Sequence, residues 1–254
     1  MRIILAPSTA SPNGPEQYLI SYLLNETVAV DAGCLGVYRT PAEQSKVRHV
    51  FLSHSHMDHV ASLPLFLENV YDPEGPPVNL YASADTLDSL ARDMFNGRQW
   101  PDFLQPPPSG APFAKMHTLQ FRQPVRVDGL TLTPIPVNHT VPTVGFIVED
   151  DRSAVVIASD TAATDEIWEH ANRLPHLRAV FLEAAFPEHQ AALADAAKHF
   201  TPLTFAHELR KLKTPVTVVT VHIKARYHAE VIAEVTALAL PKVEIARYGV
   251  PYDL

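Results

Sequence analysis

The densest chemistry in this chain lies in His54-Ser55-His56-Met57-Asp58-His59, where four metal-capable side chains fall within six positions. They directly follow the apolar run Val50-Phe51-Leu52, which reads as a strand delivering a polar loop to one sheet edge. His54 and His56 alternate by two, so an extended exit from that strand sends both imidazoles out on one face, able to hold one cation. Asp58 and His59 then face a second position. Imidazole plus carboxylate suits zinc and tolerates manganese or iron, whereas calcium and magnesium prefer sites made wholly of oxygen. The plain alternative is a solvated polar turn, and the density of ligand types behind a buried-type strand argues against it.

Further candidates sit in similar places. His139, within Asn138-His139-Thr140-Val141-Pro142, and Asp160 each come just past an apolar run, and His222 immediately follows Val216 to Val221. Taken alone, each also reads as a turn residue. Asp31 ends the run Thr27 to Asp31 and could fix a ligand imidazole, or simply close a turn. Glu183, after Val180-Phe181-Leu182, carries the same two readings. The single Cys34 excludes an internal disulfide and a thiolate cage, so ligands must come from the 13 histidines and from carboxylates.

The elements that must carry these residues are legible from period and punctuation. Strands are expected at Arg2 to Leu5, Tyr18 to Leu24, Thr27 to Asp31 and His49 to Ser53, with a long polar loop from Ala6 to Gln17. Val60 to Tyr71 has helical spacing, with Pro64 forcing a kink or restart. A strand over Val78 to Ala82 and a helix over Asp85 to Phe95 lead into an irregular Pro-rich segment, Asn96 to Pro112. Trp100 and Phe103 in that segment either stack on a base or cap the core from outside. Strands are expected again from Thr118 to Phe121, Val125 to Val127, Leu130 to Val137, Val144 to Glu149 and Ala154 to Ser159. The last third alternates helix and strand. Two strand-rich runs, each trailed by helices, predict an α/β fold with two sheets back to back and helices outside, a four-layer αββα sandwich.

Composition bounds the rest. With 254 residues, 46% of them hydrophobic and 19% charged, residues 1–254 read as one globular domain. A formal net charge of -8 and the lack of a Lys/Arg block disfavour a nucleic-acid partner. No run approaches a membrane span, and the first residues are too short for a signal-peptide core, so a cytoplasmic location is expected.

With His54, His56, Asp58, His59, His139, Asp160 and His222 in hand, the chain resembles the metallo-β-lactamase superfamily over essentially its whole length. Within it the likeness is to the class II cyclic-nucleotide phosphodiesterases, carried by SHSHMDHVASLPLFLENVY, FNGRQWPDF, PVNHTVPTVGFIV, ASDTAATDEIW, LEAAFP, HFTP and VHIKARY. The resemblance implies two divalent cations, Zn2+ first and Mn2+ or Fe as alternatives. It implies His54, His56 and His139 at the first cation, Asp58, His59 and His222 at the second, and Asp160 bridging. Such proteins commonly have Gly at the place of Ser159, Leu-Lys-Pro in place of Ile223-Lys224-Ala225, and a glycine-rich start where this chain has Ser8-Thr9-Ala10-Ser11.

The activity implied is hydrolysis of a 3',5'-cyclic nucleotide, cyclic AMP or cyclic GMP, to the 5'-monophosphate. Asp58 would also orient the nucleophile or take its proton, and His199 is the candidate donor to the leaving oxygen. Asn138, Thr140, Trp100, Phe103 and Lys224 are candidates for holding the small-molecule substrate. Rival readings are hydrolysis of a lactam, lactone or thioester, hydrolysis of RNA or other phosphodiesters, and a non-catalytic nucleotide-binding sensor. Homodimerisation is left open.

Overall fold

The computed structural model of the chain describes residues 1–9, 18–108 and 110–254. Two seven-stranded sheets form its centre. The first takes β1 (Arg2–Leu5), β2 (Tyr22–Leu24), β3 (Val28–Val30), β4 (His49–Phe51), β5 (Val78–Ala82) and β6 (Ala114–Thr118). The second takes β7 (Val125–Val127), β8 (Leu130–Val137), β9 (Thr143–Glu149), β10 (Ala154–Ile157), β11 (Leu177–Glu183), β12 (Thr217–Val221) and β13 (Val243–Ile245). The last strand, β14 (Pro251–Asp253), returns to the first sheet beside β1.

The two sheets repeat one plan. In the first, β14, β1, β2 and β3 pair antiparallel and β3 to β6 run parallel. In the second, β7 to β10 pair antiparallel and β10 to β13 run parallel. Parallel strands need both faces covered, and the side-chain period of two allots each residue to one layer. Phe51 points to the layer between the sheets and Val50 to the outer one; Phe181 points inward, Val180 and Leu182 outward.

Helices cover both outer faces. Over the first sheet lie α1 (Pro41–Gln44), α2 (Met57–Val60), α3 (Leu63–Asn69) and α4 (Ala84–Ser89), the last running on into one wide turn at Leu90–Met94. Over the second lie α5 (Glu166–Ala171), α6 (Ala191–Ala197), α7 (Pro202–Glu208) and α8 (His228–Ala237). The αββα sandwich is therefore the observed architecture. Pro64 acts as a restart: the expected helix over Val60 to Tyr71 divides, and Pro64 sits in the first turn of α3, where its missing N–H costs nothing.

Two expectations need correction. The strand placed at Thr118 to Phe121 is instead β6, Ala114–Thr118; it is an edge strand with Lys115 and Met116 exposed, so its composition lacks the buried-strand signature. The strand Tyr18 to Leu24 shortens to Tyr22–Leu24. Most of the polar loop expected from Ala6 to Gln17, with Ala10 and Ser11, lies outside the described residues. Among the described residues no helix is long and apolar enough to cross a membrane.

Candidate metal centre

Six strand exits meet at one end of the sandwich. β3 is followed by Asp31, β4 by Leu52-Ser53-His54, β8 by Asn138-His139, β10 by Ala158-Ser159-Asp160 and β12 by His222, while Glu183 ends β11. Three of these residues turn off their strands with left-handed backbone: Asp31 at φ +61°, Ser159 at +58° and His222 at +54°. For residues other than Gly that conformation costs roughly 1–2 kcal/mol each, so the surrounding contacts must hold it. His56 is the N-cap of α2, which places Asp58 and His59 on its first turn, with the His59 ring centre 4.1 Å from that of His54.

The side chains gather into two quartets. His54, His56, His139 and Asp160 form one; Asp58, His59, Asp160 and His222 form the other, and within each the donor atoms all lie within 4.8 Å of one another. Asp160 belongs to both. Its Oδ1 is 3.3 Å from His59 Nε2, and its Oδ2 is 3.3 Å from His222 Nε2 and 3.9 Å from the Nε2 atoms of His54 and His139. His139 Nε2 stands 3.2 Å from His56 Nδ1, and His222 Nε2 stands 3.2 Å from Asp58 Oδ2.

The far side of each ring shows why these nitrogens converge. His59 Nδ1 lies 2.7 Å from Asp31 Oδ2 and His139 Nδ1 3.2 Å from the Lys198 carbonyl, so each donates there and turns Nε2 inward. Ser53 Oγ donates to Asp31 Oδ2 at 2.9 Å and stands 2.9 Å from His54 Nδ1, from which it accepts. The Ser53 N–H donates to Asp31 Oδ1 at 2.8 Å. Asp31 is thus the imidazole-fixing carboxylate rather than a turn residue. Ser53 and the Lys198 carbonyl complete the support. Ser53 adjoins a ligand and was open to inference, whereas a main-chain carbonyl leaves no trace in residue type.

The donor set fits cations. Among the described residues, His54 Nε2 and His59 Nε2 are buried without a hydrogen-bond partner. Leaving such atoms unmatched is costly, and a cation satisfies both. Burial, reinforced by the charge of His59, holds His54 well below the usual imidazole range; burial likewise lowers His139 to about 4, against Asp160. Both rings therefore present a lone pair. Burial would raise Asp160 and Asp58, but the neighbouring histidines, His222 foremost, hold both carboxylates ionised. His59 behaves differently. Burial pulls it down, yet Asp160 and Asp31 outweigh that and hold it well above its ordinary value.

A third trio, Glu183, His199 and His222, adjoins the quartets. Glu183 Oε1 lies 2.7 Å from His199 Nδ1 and accepts from the Thr161 N–H at 2.8 Å, and Oε2 accepts from the Phe200 N–H at 3.2 Å. Burial and then the charge of Asp160 push Glu183 up to about 8, while burial lowers His199 to about 4. His199 stacks on His222, with ring centres 5.3 Å apart. Glu183 thus fixes the His199 ring, and His199 stands beside the candidate ligand His222.

The substrate candidates divide. Lys224 Nζ lies 3.1 Å from Asp58 Oδ2, inside the site. The Asn138 amide is engaged in holding loops, donating to the Ala163 carbonyl at 3.0 Å and accepting from Lys198 Nζ at 2.8 Å; Thr140 is exposed next to His139. Trp100 and Phe103 go elsewhere. Phe103 is buried in the outer apolar layer of the first sheet, stacked on Phe113 at 3.8 Å and 3°, with Trp100 edge-on to it at 6.4 Å. Of the two readings of that segment, core capping is the one realised, because stacking on protein aromatics removes the ring faces from solvent.

Known proteins resemble this chain in sequence and in fold. The sequence profile described as the beta-lactamase superfamily domain matches residues 29–223, a span holding all seven candidate ligands. The chain is similar to a probable 3',5'-cyclic-nucleotide phosphodiesterase of Yersinia pestis, 27% identical over 187 residues, covering 67% of this chain and 52% of that protein. It is similar to a ribonuclease Z of Mycobacterium bovis (strain BCG), 28% identical over 178 residues, covering 63% and 58%. The matched stretch spans a little over half the length of these two relatives. Among solved structures, unliganded yeast PDE1 superposes with a TM-score of 0.78 at 15% identity, covering 98% of both chains. The metallo-beta-lactamase fold protein YhfI from Bacillus subtilis gives 0.74 at 16% identity, covering 99% and 98%, and the short form of human tRNase Z gives 0.67 at 16%, covering 100% and 99%. At these identities the structures speak for the fold.

Proposed function

The chain belongs to the beta-lactamase superfamily and is a metallo-β-lactamase-fold hydrolase, and on that premise we propose that it hydrolyses 3',5'-cyclic nucleotides to 5'-monophosphates at two divalent cations. The observation that carries the proposal is the pair of quartets sharing Asp160, set beside a buried carboxylate and imidazole. His54, His56, His139 and Asp160 would hold one cation and Asp58, His59, Asp160 and His222 the other, zinc first by donor type. Two such cations, when bound, bring a water's pKa toward roughly 7 and neutralise charge on the phosphoryl oxygens.

The chain's own residues supply the proton handling. Asp58, held ionised, orients the attacking water or takes its proton. With Glu183 pushed up to about 8, the Glu183 and His199 pair keeps one extra proton at neutral pH. His199 Nε2 gives a proton to the departing 3'-oxygen while Nδ1 takes the Glu183 proton, which leaves Glu183 as a carboxylate beside His199 Nδ1 and the Thr161 and Phe200 N–H groups. Lys224 adds a positive charge at the same mouth.

Support for a cyclic nucleotide comes from the stretches FNGRQWPDF and HTVP and from the Yersinia relative. A second reading, cleavage of RNA phosphodiesters, is favoured by the similarity to ribonuclease Z and opposed by the net charge of -8. The deciding experiment is hydrolysis of 3',5'-cyclic AMP by cation-replete protein, read as 5'-AMP, beside a chelated sample and Asp58→Ala. Turnover lost in both controls supports the proposal. No turnover with cations bound discards the cyclic nucleotide and moves the search to RNA and then to lactones.

A further inference from the structure

We propose that Lys224 is a built-in competitor for the second quartet, setting its cation affinity below that of the first and making its cation the exchangeable one. The inference rests on the two-cation reading of the site and not on the identity of the substrate.

Lys224 Nζ is 3.1 Å from Asp58 Oδ2 and 3.4 Å from His222 Nε2. Both atoms are donors of the second quartet. A divalent cation and an ammonium cannot share them at those separations, so a cation gains Asp58 and His222 only as the lysine withdraws. The first quartet meets no such rival: among the described residues, the polar partners of the His54, His56 and His139 rings are the Ser53 hydroxyl, the Lys198 carbonyl, Asp160 and one another. The asymmetry is one of charge as well as contact.

The main chain aims the lysine at this place. The Lys224 N–H donates to the Ala185 carbonyl at 3.1 Å, just past β11, and the Lys224 carbonyl accepts from the Tyr227 N–H at 2.8 Å, opening a tight turn over Ala225–Tyr227. The stem thus starts from a fixed point two residues after His222. Its side chain is 34% exposed, which leaves a path toward solvent for the ammonium when a cation enters. The withdrawn ammonium stays tethered at the mouth, where an anionic substrate would meet it.

The test is a calorimetric titration of chelator-stripped protein with Mn2+, comparing wild type, Lys224→Met and Lys224→Arg. Methionine keeps an aliphatic stem and removes the charge; arginine keeps the charge. The expected result is two resolved steps in wild type, with Lys224→Met tightening the weaker step by about tenfold or more and leaving the stronger step in place. Retention of the stronger step shows that the variant site is folded. Lys224→Arg should keep the wild-type separation of the steps. The inference is overturned if Lys224→Met leaves that separation unchanged, or if Lys224→Arg matches Lys224→Met. A wild type that takes one Mn2+ at saturation overturns it together with the two-cation reading. The predicted shift supports the inference whether or not cyclic nucleotides are turned over.

Discussion

Asp31 Oδ2 lies 2.7 Å from His59 Nδ1, and both side chains are 1% exposed. This buried contact joins the end of β3 to the first turn of α2 and decides which nitrogen of His59 faces Asp160. Because the same carboxylate also takes Ser53 Oγ and the Ser53 N–H, one residue governs the aim of both His54 and His59.

Replacing Asp31 by Asn should therefore weaken cation binding by about 10- to 100-fold, the usual cost of losing an imidazole-orienting carboxylate. Equilibrium dialysis against a metal buffer reads this directly. An affinity equal to wild type would mean that His59 is aimed by packing alone.

The two quartets should differ in their response to pH. His59, held well above its ordinary value by Asp160 and Asp31 against burial, carries a proton at neutral pH, whereas burial keeps His54 and His139 neutral. A cation entering the second quartet must displace that proton, so its affinity falls as pH falls. Titrations in buffers of differing ionisation heat should show about one more proton released in the second step than in the first. Equal release in both steps would count against this assignment.

Substitution of His199 by Ala should lower turnover by about 10²- to 10⁴-fold with both cations retained. A phosphodiester with a good leaving group should lose far less, because it needs no proton on departure. Glu183→Gln should move the alkaline limb of the rate profile. If both substrates fall equally, His199 acts on something other than the leaving oxygen.

Ser159→Gly should stabilise the chelated protein by roughly 0.5–1 kcal/mol, since glycine adopts positive φ without the steric cost that a Cβ incurs. Ser159 stands at φ +58°, and its buried Oγ has no hydrogen-bond partner among the described residues, so no hydrogen bond seen there is lost. A lower melting temperature would show that the hydroxyl does more than fill space.

Phe103→Ala should cost about 3–5 kcal/mol of stability, as for other buried aromatics, while leaving KM for any small substrate near wild type. Urea unfolding and steady-state kinetics separate the two. A raised KM with unchanged stability would return the ring to the substrate side.

Much of this was legible in the residues because each candidate ligand follows a run that only a buried strand explains. Val50-Phe51-Leu52 before His54 and Val216 to Val221 before His222 place their histidines by period and length alone. What stayed hidden is what residue type does not encode. Lys115 and Met116 hid β6, since an edge strand needs no buried signature. The Lys198 carbonyl that turns His139 is common to every residue. Trp100 and Phe103 were ambiguous, because a stacking platform and a core cap use the same rings, and only the placement of Phe113 decides between them.

Each quartet also draws donors from both sheets: His54, His56, Asp58 and His59 follow β4, and His139, Asp160 and His222 follow strands of the second sheet. Asp58 and His222 face each other across 164 residues of sequence. A bound cation is in that sense a removable cross-link between two halves of one chain. Its loss would be felt as a loosening of one end of the sandwich, while the opposite end stays closed by the ion pair between the Met1 amino group and Asp150 Oδ2, just past β9, at 2.9 Å. Chelation should therefore shift protease sensitivity and amide exchange first at the strand exits that carry the ligands, well before the sheets part.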